Sequence, residues 1–186
     1  MQPIYCGIDP SLTGTGIALV QGRKLLSSDT LQAPKQISTG MPRLLWLRDA
    51  TLHFVRAYDP VAVCVEGYSM GSRNTQAHKT GEWGGVLRLA LYEAGYRVYL
   101  LPPKSLKKFA TGNGNIEGKA PMAVALRKLI GVRLADREDE VDAALLALAI
   151  QERERPCLGL SDHCMSALNA VEIIAAQRTR PARPKK

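Results

Sequence analysis

No apolar run in this chain is long enough to cross a bilayer, and residues 1–20 lack the basic start and apolar block of a signal peptide. The expected location is the cytoplasm, with no membrane partner. Four cysteines (Cys6, Cys64, Cys157, Cys164) in 186 residues do not make a disulfide framework. Cys6 and Cys64 fall inside apolar runs, where a reduced cysteine acts as a small hydrophobe. Cys157, His163 and Cys164 match none of the usual zinc spacings, so zinc is not expected. Internal repeats and a second-domain linker are also missing. The chain therefore reads as one domain, long enough for a sizeable core, with the 46% hydrophobic and 23% charged content of an ordinary globular protein. Acids are outnumbered, 17 against 25 Lys and Arg, for a formal charge of +8. That excess favours a polyanionic partner and says nothing about fold. Part of it lies in Arg178-Thr-Arg-Pro-Ala-Arg-Pro-Lys-Lys186, which has almost nothing to bury, and residues 179–186 are expected to be a disordered basic tail. Solubility and non-specific phosphate contact are both open as its role.

What is present is a set of four carboxylates: Asp9, Glu66, Asp139 and Asp142. Asp9 and Glu66 end the apolar, β-prone runs Ile4–Ile8 and Val61–Val65. An acid ending a buried strand is costly unless a charge or hydrogen bonds compensate it. Asp139 and Asp142 open an alanine- and leucine-rich segment at i, i+3 spacing, which puts both on one helical face. Each has an ordinary alternative. Asp9 can hydrogen-bond its own turn, Glu66 can sit in solvent, and helix-start acids complement the dipole. Asp136, Glu138 and Glu140 read as bystanders of that last kind. Gathered together, four like charges repel strongly without cations between them. Hard oxygen ligands suit Mg²⁺ or Mn²⁺, and a pair of ions roughly 4 Å apart suits phosphodiester hydrolysis. The glycine-bearing turn after Asp9 also resembles the first phosphate loop of actin-like ATPases and sugar kinases. Those proteins need two such domains, which 186 residues do not hold.

Residues 3–9, 15–21 and 24–32 read as three strands joined by short glycine-bearing turns, hence an antiparallel meander. Apolar residues recur at helical intervals over about 41–58, where Asp59-Pro60 stops the segment. Val61–Glu66 is a fully apolar strand after a helix, the pattern of a buried parallel strand. A loop at 67–74, a helix at about 75–94 and a fifth strand at Arg97–Leu101 follow. The basic Lys104–Lys108 leads to a turn at Thr111–Asn115. Helices are expected at about 119–130, from Asp136 to about 153, and over 162–177. The fold class is α/β, a mixed five-stranded sheet with three antiparallel strands and then parallel ones, flanked by helices.

Four segments carry a resemblance: GIDPSLTGTG (7–16), VCVEGYSMGSRNTQAHKTGEWGGV (63–86), PKSLKKFATGNGNIEGK (103–119) and DEVDAALLALAI (139–150). In this order, residues 4–150 resemble the RuvC family of Holliday junction resolvases, of the ribonuclease H-like superfamily. The resemblance implies a homodimeric endonuclease that nicks two opposed strands of a four-way DNA junction. It also implies two Mg²⁺ per site, replaceable by Mn²⁺, held by Asp9, Glu66, Asp139 and Asp142. Lys107 and Lys119 match DNA-contacting and catalysis-supporting lysines, while Arg73 and Lys79 are further candidate backbone contacts. In the family an aromatic in the loop after Glu66 wedges into the junction. Here Ser69 stands at that place and Tyr68 one residue earlier, so stacking on a base and packing against the protein are both open. A shortened first loop and a helical extension over 156–178, beyond a nuclease domain of 1–155, complete the departures. They suggest a divergent member of phage or prophage type. A nuclease for flaps and forks, and a junction-binding module without catalysis, remain as alternatives.

Overall fold

The structure is a computed structural model that describes residues 2–67, 75–134 and 137–175. Strands β1 (Tyr5–Asp9), β2 (Thr15–Gln21) and β3 (Lys24–Leu31) form the antiparallel meander that the short turns demand. Helix α1 (Gly40–Tyr58) ends at Asp59, whose φ of 49° lies in the left-handed region, with Pro60 next. The chain then enters β4 (Ala62–Glu66), parallel to β1. Helix α2 (Thr75–Glu93) crosses over to β5 (Val98–Leu101), parallel to β4. The sheet is thus the expected mixed one, with the antiparallel strands on one side and the parallel strands on the other.

It has six strands rather than five, in the order β3-β2-β1-β4-β5-β6. The extra strand, β6 (Glu172–Ala175), pairs antiparallel with β5. Residues 162–177 are therefore not one helix. A single turn, α6 (Asp162–Met165), and a 3-10 turn (Ser166–Ala170) precede the strand. The apolar spacing there suits either period, but β5 offers unpaired backbone groups along its edge, and the β-branched Ile173 and Ile174 suit a strand that satisfies them. Leu158, Ala167, Leu168 and Val171 are buried in the main core, so the segment after residue 155 shares that core. Lys104–Lys108 is likewise not a plain lead-in to a turn. It lies in α3 (Pro103–Thr111), which has proline in its first turn, Leu106 and Phe109 buried at i, i+3, and Gly112 in the left-handed conformation at its end.

Helices cover both faces of the sheet. Side chains alternate, so Cys6, Ile8, Ile17, Leu19, Val63 and Val65 meet α1 and α2 through Leu44, Leu47, Trp83 and Leu87. On the other face lies α5 (Glu138–Glu154), with α3 and α4 (Ala120–Ile130) beyond it. Residues 143–150 of α5 are buried on every side, as a helix stretch apolar all round must be. Toward its N-terminal half the sheet residues beneath it are small, among them Gly7, Gly16, Ala18 and Cys64. At Gly7 a Cβ would collide with the Ala143 carbonyl oxygen, and at Gly16 with the backbone of Asp139. The helix can sit this low only because those two positions lack side chains.

This close seating makes a stability prediction. Gly7→Ala forces α5 away from the sheet and costs about 1–3 kcal/mol, lowering Tm by roughly 2–4 °C per kcal/mol. Gly85→Ala, in α2 where a Cβ meets open space, is expected to hold or raise Tm, since alanine is the better helix former. Thermal melting of the two variants checks the contrast.

Candidate active site

Parity along the strands places the first two acids. Tyr5 and Gly7 face α5, so Asp9 does too; Ala62 and Cys64 face α5, so Glu66 follows. Ile8 pairs with Val65 in the parallel register, which brings Asp9 beside Glu66 at the carboxyl ends of adjacent strands. Ligands collect at that edge in open α/β sheets. The turn after Asp9 is braced: Ser11 donates its N–H to the Asp9 carbonyl at 3.0 Å, and Thr15 donates its hydroxyl to the Ser11 carbonyl at 2.6 Å. The fully buried Trp83 in turn donates its indole N–H to the Thr15 hydroxyl at 3.0 Å.

Asp139 and Asp142 lie in the first turns of α5, over the same edge because the helix rests on Gly16. Lys119, at the start of α4, places its Nζ 3.7 Å from Asp139 Oδ1, 3.7 Å from Asp142 Oδ2 and 3.7 Å from Glu138 Oε2. A cleft of about 230 Å³ opens here, lined by Glu66, Leu106, Lys107, Lys119, Met122 and Asp142. Lys107 projects from α3 into its wall and donates to the Ile116 carbonyl at 3.0 Å. Asp9, Glu66, Asp139, Asp142, Lys107 and Lys119, six positions the sequence picks out, thus share one site. Tyr68, Ser69 and Arg73 lie outside the described residues, as does the Lys79 side chain, although its backbone belongs to α2. Glu140 is no bystander: it is buried and bonded to Ser28, Thr30 and Arg137. Its sequence signal is indistinguishable from that of its acidic neighbours.

Three of the acids, Asp9, Glu66 and Asp142, hold protons more tightly than carboxylates in water. Burial, reinforced by Asp142 and Asp139, lifts Asp9 from 3.8 to about 7. Burial and then Asp9 push Glu66 well above the carboxylate range, and the two share a hydrogen bond. Asp142 is raised by burial against the pull of Lys119. Burial works against the Lys119 ammonium, but Asp142, Asp139 and Asp9 outweigh it and raise its proton affinity. Such shifts mark a site that favours additional positive charge.

The family model for crossover junction endodeoxyribonuclease RuvC matches residues 5–152. The crossover junction endodeoxyribonuclease RuvC of Mycobacterium tuberculosis is 32% identical over 150 residues, covering 77% of this chain and 78% of that protein. The structure of Thermus thermophilus RuvC superposes with a TM-score of 0.69 at 27% identity, over 84% of this chain and 99% of that one. The same protein in complex with a Holliday junction substrate gives a TM-score of 0.70 at 28% identity, over 85% and 99%. The chain belongs to the RuvC family. Its sheet, flanking helices and meander are those of that family's structures, which bears out the expected fold class.

The donor set of this RuvC-family chain fits a hard divalent cation. All four acids offer oxygen, and Asp142 Oδ1 is buried with no hydrogen-bond partner. Among the described residues, no three acidic, imidazole or thiol side chains already converge as a closed ligand cage. Asp9 and Glu66 are hydrogen-bonded to each other, and Lys119 is paired with Asp139 and Asp142. Cation binding must release protons from the acids and free Asp139 and Asp142 from Lys119, and metal affinity should therefore rise with pH. Also among the described residues, no helix is long and apolar enough to cross a membrane.

A pH dependence follows. Asp9 keeps its proton to about pH 7 in the fold and to about pH 4 when unfolded. It contributes stability that is complete below about pH 4 and is lost as pH rises through about 7. In EDTA the Tm should fall between about pH 5 and pH 7.5. Asp9→Asn should flatten that fall and raise Tm at the upper end by roughly 3–6 °C. Melting curves of both proteins across this range supply the check, and an unchanged slope contradicts the assignment.

Proposed function

We propose that this chain resolves four-way DNA junctions by paired, symmetric nicks, acting as a homodimer with two Mg²⁺ per site, replaceable by Mn²⁺. The observation that carries the reading is the meeting of Asp9, Glu66, Asp139 and Asp142 with Lys119 at one sheet edge, in a chain of net charge +8. The junction bound by the Thermus thermophilus relative supports the choice of DNA substrate. Asp9, Glu66, Asp139 and Asp142 would hold the ions. Bound there, a metal pair lowers the proton affinity of the attacking water and offsets charge on the leaving oxygen.

The remaining work falls to this chain's own residues. Lys119, held between the helix acids, is placed to meet charge growing on the scissile phosphate as they turn to the ions. Lys107, on the cleft wall, would hold the adjacent backbone phosphate. Tyr68, Arg73 and Lys79 follow Glu66 in sequence and would meet the junction centre and its arms. Exposed Met41 and Leu45 on α1 and Leu89 on α2 offer apolar surface on the helical face opposite α5, in keeping with a second copy of the chain. The core formed by residues 1–155 would carry the chemistry, with 156–178 as an added support and 179–186 as a basic tail. A cytoplasmic location accords with a DNA substrate.

The test uses labelled four-way junction, flap and duplex DNA, with Mg²⁺ or EDTA. Metal-dependent paired nicks confined to the four-way junction are expected, and Asp9→Asn should abolish them while the variant still binds DNA. Lys119→Ala should lower kcat by about 10²-fold or more with little change in KM. Preferential flap or fork cutting would replace the junction reading, and tight binding without cleavage would remove the enzyme.

A further inference from the structure

We propose that Glu140 is a positioning residue: it clamps the first turn of α5 to β3 and so fixes where Asp139 and Asp142 stand above Asp9 and Glu66. The inference rests on the nuclease reading for its consequence, although the clamp itself is geometric.

Glu140 is 3% exposed. Its Oε2 accepts from the Ser28 hydroxyl at 2.5 Å and its Oε1 from the Thr30 hydroxyl at 3.2 Å. Arg137 Nη1 approaches Oε2 at 3.5 Å and offsets the charge from the solvent side. Ser28 and Thr30 are two apart on β3 and so face the same way, and Thr30 lies in register with Gly16. The three elements therefore stack in order. Gly16 lets the Asp139 backbone down onto β2, and one strand further out the Glu140 carboxylate is caught by two hydroxyls on β3.

Lys119 holds the first turns from the α4 side and Val141 is buried in the core, but among the described contacts only Glu140 bonds the turn to β3. Its capping residue, Arg137, makes no side-chain cap, and a glycine below it provides close approach without lateral grip. Successive helical residues are rotated by about 100°. Glu140 thus points roughly 100° from Asp139 and further still from Asp142, away from the reacting phosphate. It cannot contact substrate. It can set the rotation and depth of the helix that carries both acids. A comparable clamp closes the other end of the same helix, about 21 Å away along its axis. There Glu154 accepts from Tyr5 at 3.3 Å, Tyr99 at 2.6 Å and Arg97 at 2.7 Å. That end is remote from the acids, so it provides a purely structural comparator.

The experiment uses the full chain with Glu140→Ala, Glu140→Gln, the double variant Ser28→Ala/Thr30→Val, and Glu154→Ala. Three readouts are taken: kcat and KM on the four-way junction, Mn²⁺ affinity by calorimetry, and amide exchange over residues 138–142 in the metal-free protein. Glu140→Ala should lower kcat and Mn²⁺ affinity roughly 10–100-fold, the usual cost of losing a group that orients a metal ligand, with KM for DNA little changed. Amide exchange in that turn should rise. The double variant should do the same without altering any residue of α5. Glu140→Gln should recover most of both quantities, since its amide can accept from one hydroxyl and donate to the other. Glu154→Ala should lower Tm while leaving kcat and Mn²⁺ affinity as in the wild type. The proposal is overturned if Glu140→Ala behaves like Glu154→Ala, or if Glu140→Gln is as impaired as Glu140→Ala. A wild-type chain that binds Mn²⁺ yet cuts no DNA would sink the nuclease reading instead, and the clamp would still be read in Mn²⁺ affinity and amide exchange.

Discussion

Helix α5 rests directly on the backbone of β1 and β2, at Gly7 and Gly16, and the remainder of the molecule is arranged around that contact. A helix buried on every side needs a partner on every side. The sheet supplies one below, and α3 and α4 supply one above through Leu106, Phe109, Met122 and Leu126. Its register is fixed at both ends by carboxylates, Glu140 on β3 and Glu154 on the tyrosines of β1 and β5. With the helix pinned in this way, residues three apart in its first turns can only stand over the ends of β1 and β4, where Asp9 and Glu66 already are.

That placement is electrostatically adverse, and the adversity is informative. Burial and mutual repulsion raise the proton affinity of three of the four acids, and Lys119 is drawn into the cluster from the start of α4. A purely structural role would tolerate neutral residues here at lower cost. The cluster makes sense as a site kept ready for cations and a phosphate, with Lys119 as the group that changes partners when they arrive. Around it the chain is basic, so the acidic centre and the cationic surroundings divide the work of handling a polyanion between chemistry and binding.

Much of this was legible in the residues. Alternation and glycine turns reveal the meander, the continuous apolar run Val61–Val65 reveals a buried parallel strand, and i, i+3 spacing pairs Asp139 with Asp142. Three features were not. Helix α3 hides because its three lysines dominate Pro103–Thr111, and only Leu106 and Phe109 betray a buried face. Strand β6 hides because Val171, Ile173 and Ile174 fit a helical period as well as a strand, and the decision belongs to the distant edge of β5. Glu140 hides for a similar reason. Its partners Ser28 and Thr30 are more than a hundred residues away, and a helix-start acid looks the same whether solvated or clamped. Local pattern fixes faces and periods; long-range pairing has to be seen in three dimensions.

The most direct test of this site is anomalous diffraction from crystals of the metal-free protein soaked in Mn²⁺ at about neutral pH or above. Two Mn²⁺ peaks are predicted in the cleft between Asp9, Glu66, Asp139 and Asp142, with Lys119 withdrawn from the helix acids. Loss of those peaks in an Asp9→Asn crystal would follow. Peaks confined to other places, such as the neighbourhood of Cys157, His163 and Cys164, with Lys119 still bridging Asp139 and Asp142, would contradict the reading of the four carboxylates as one metal centre.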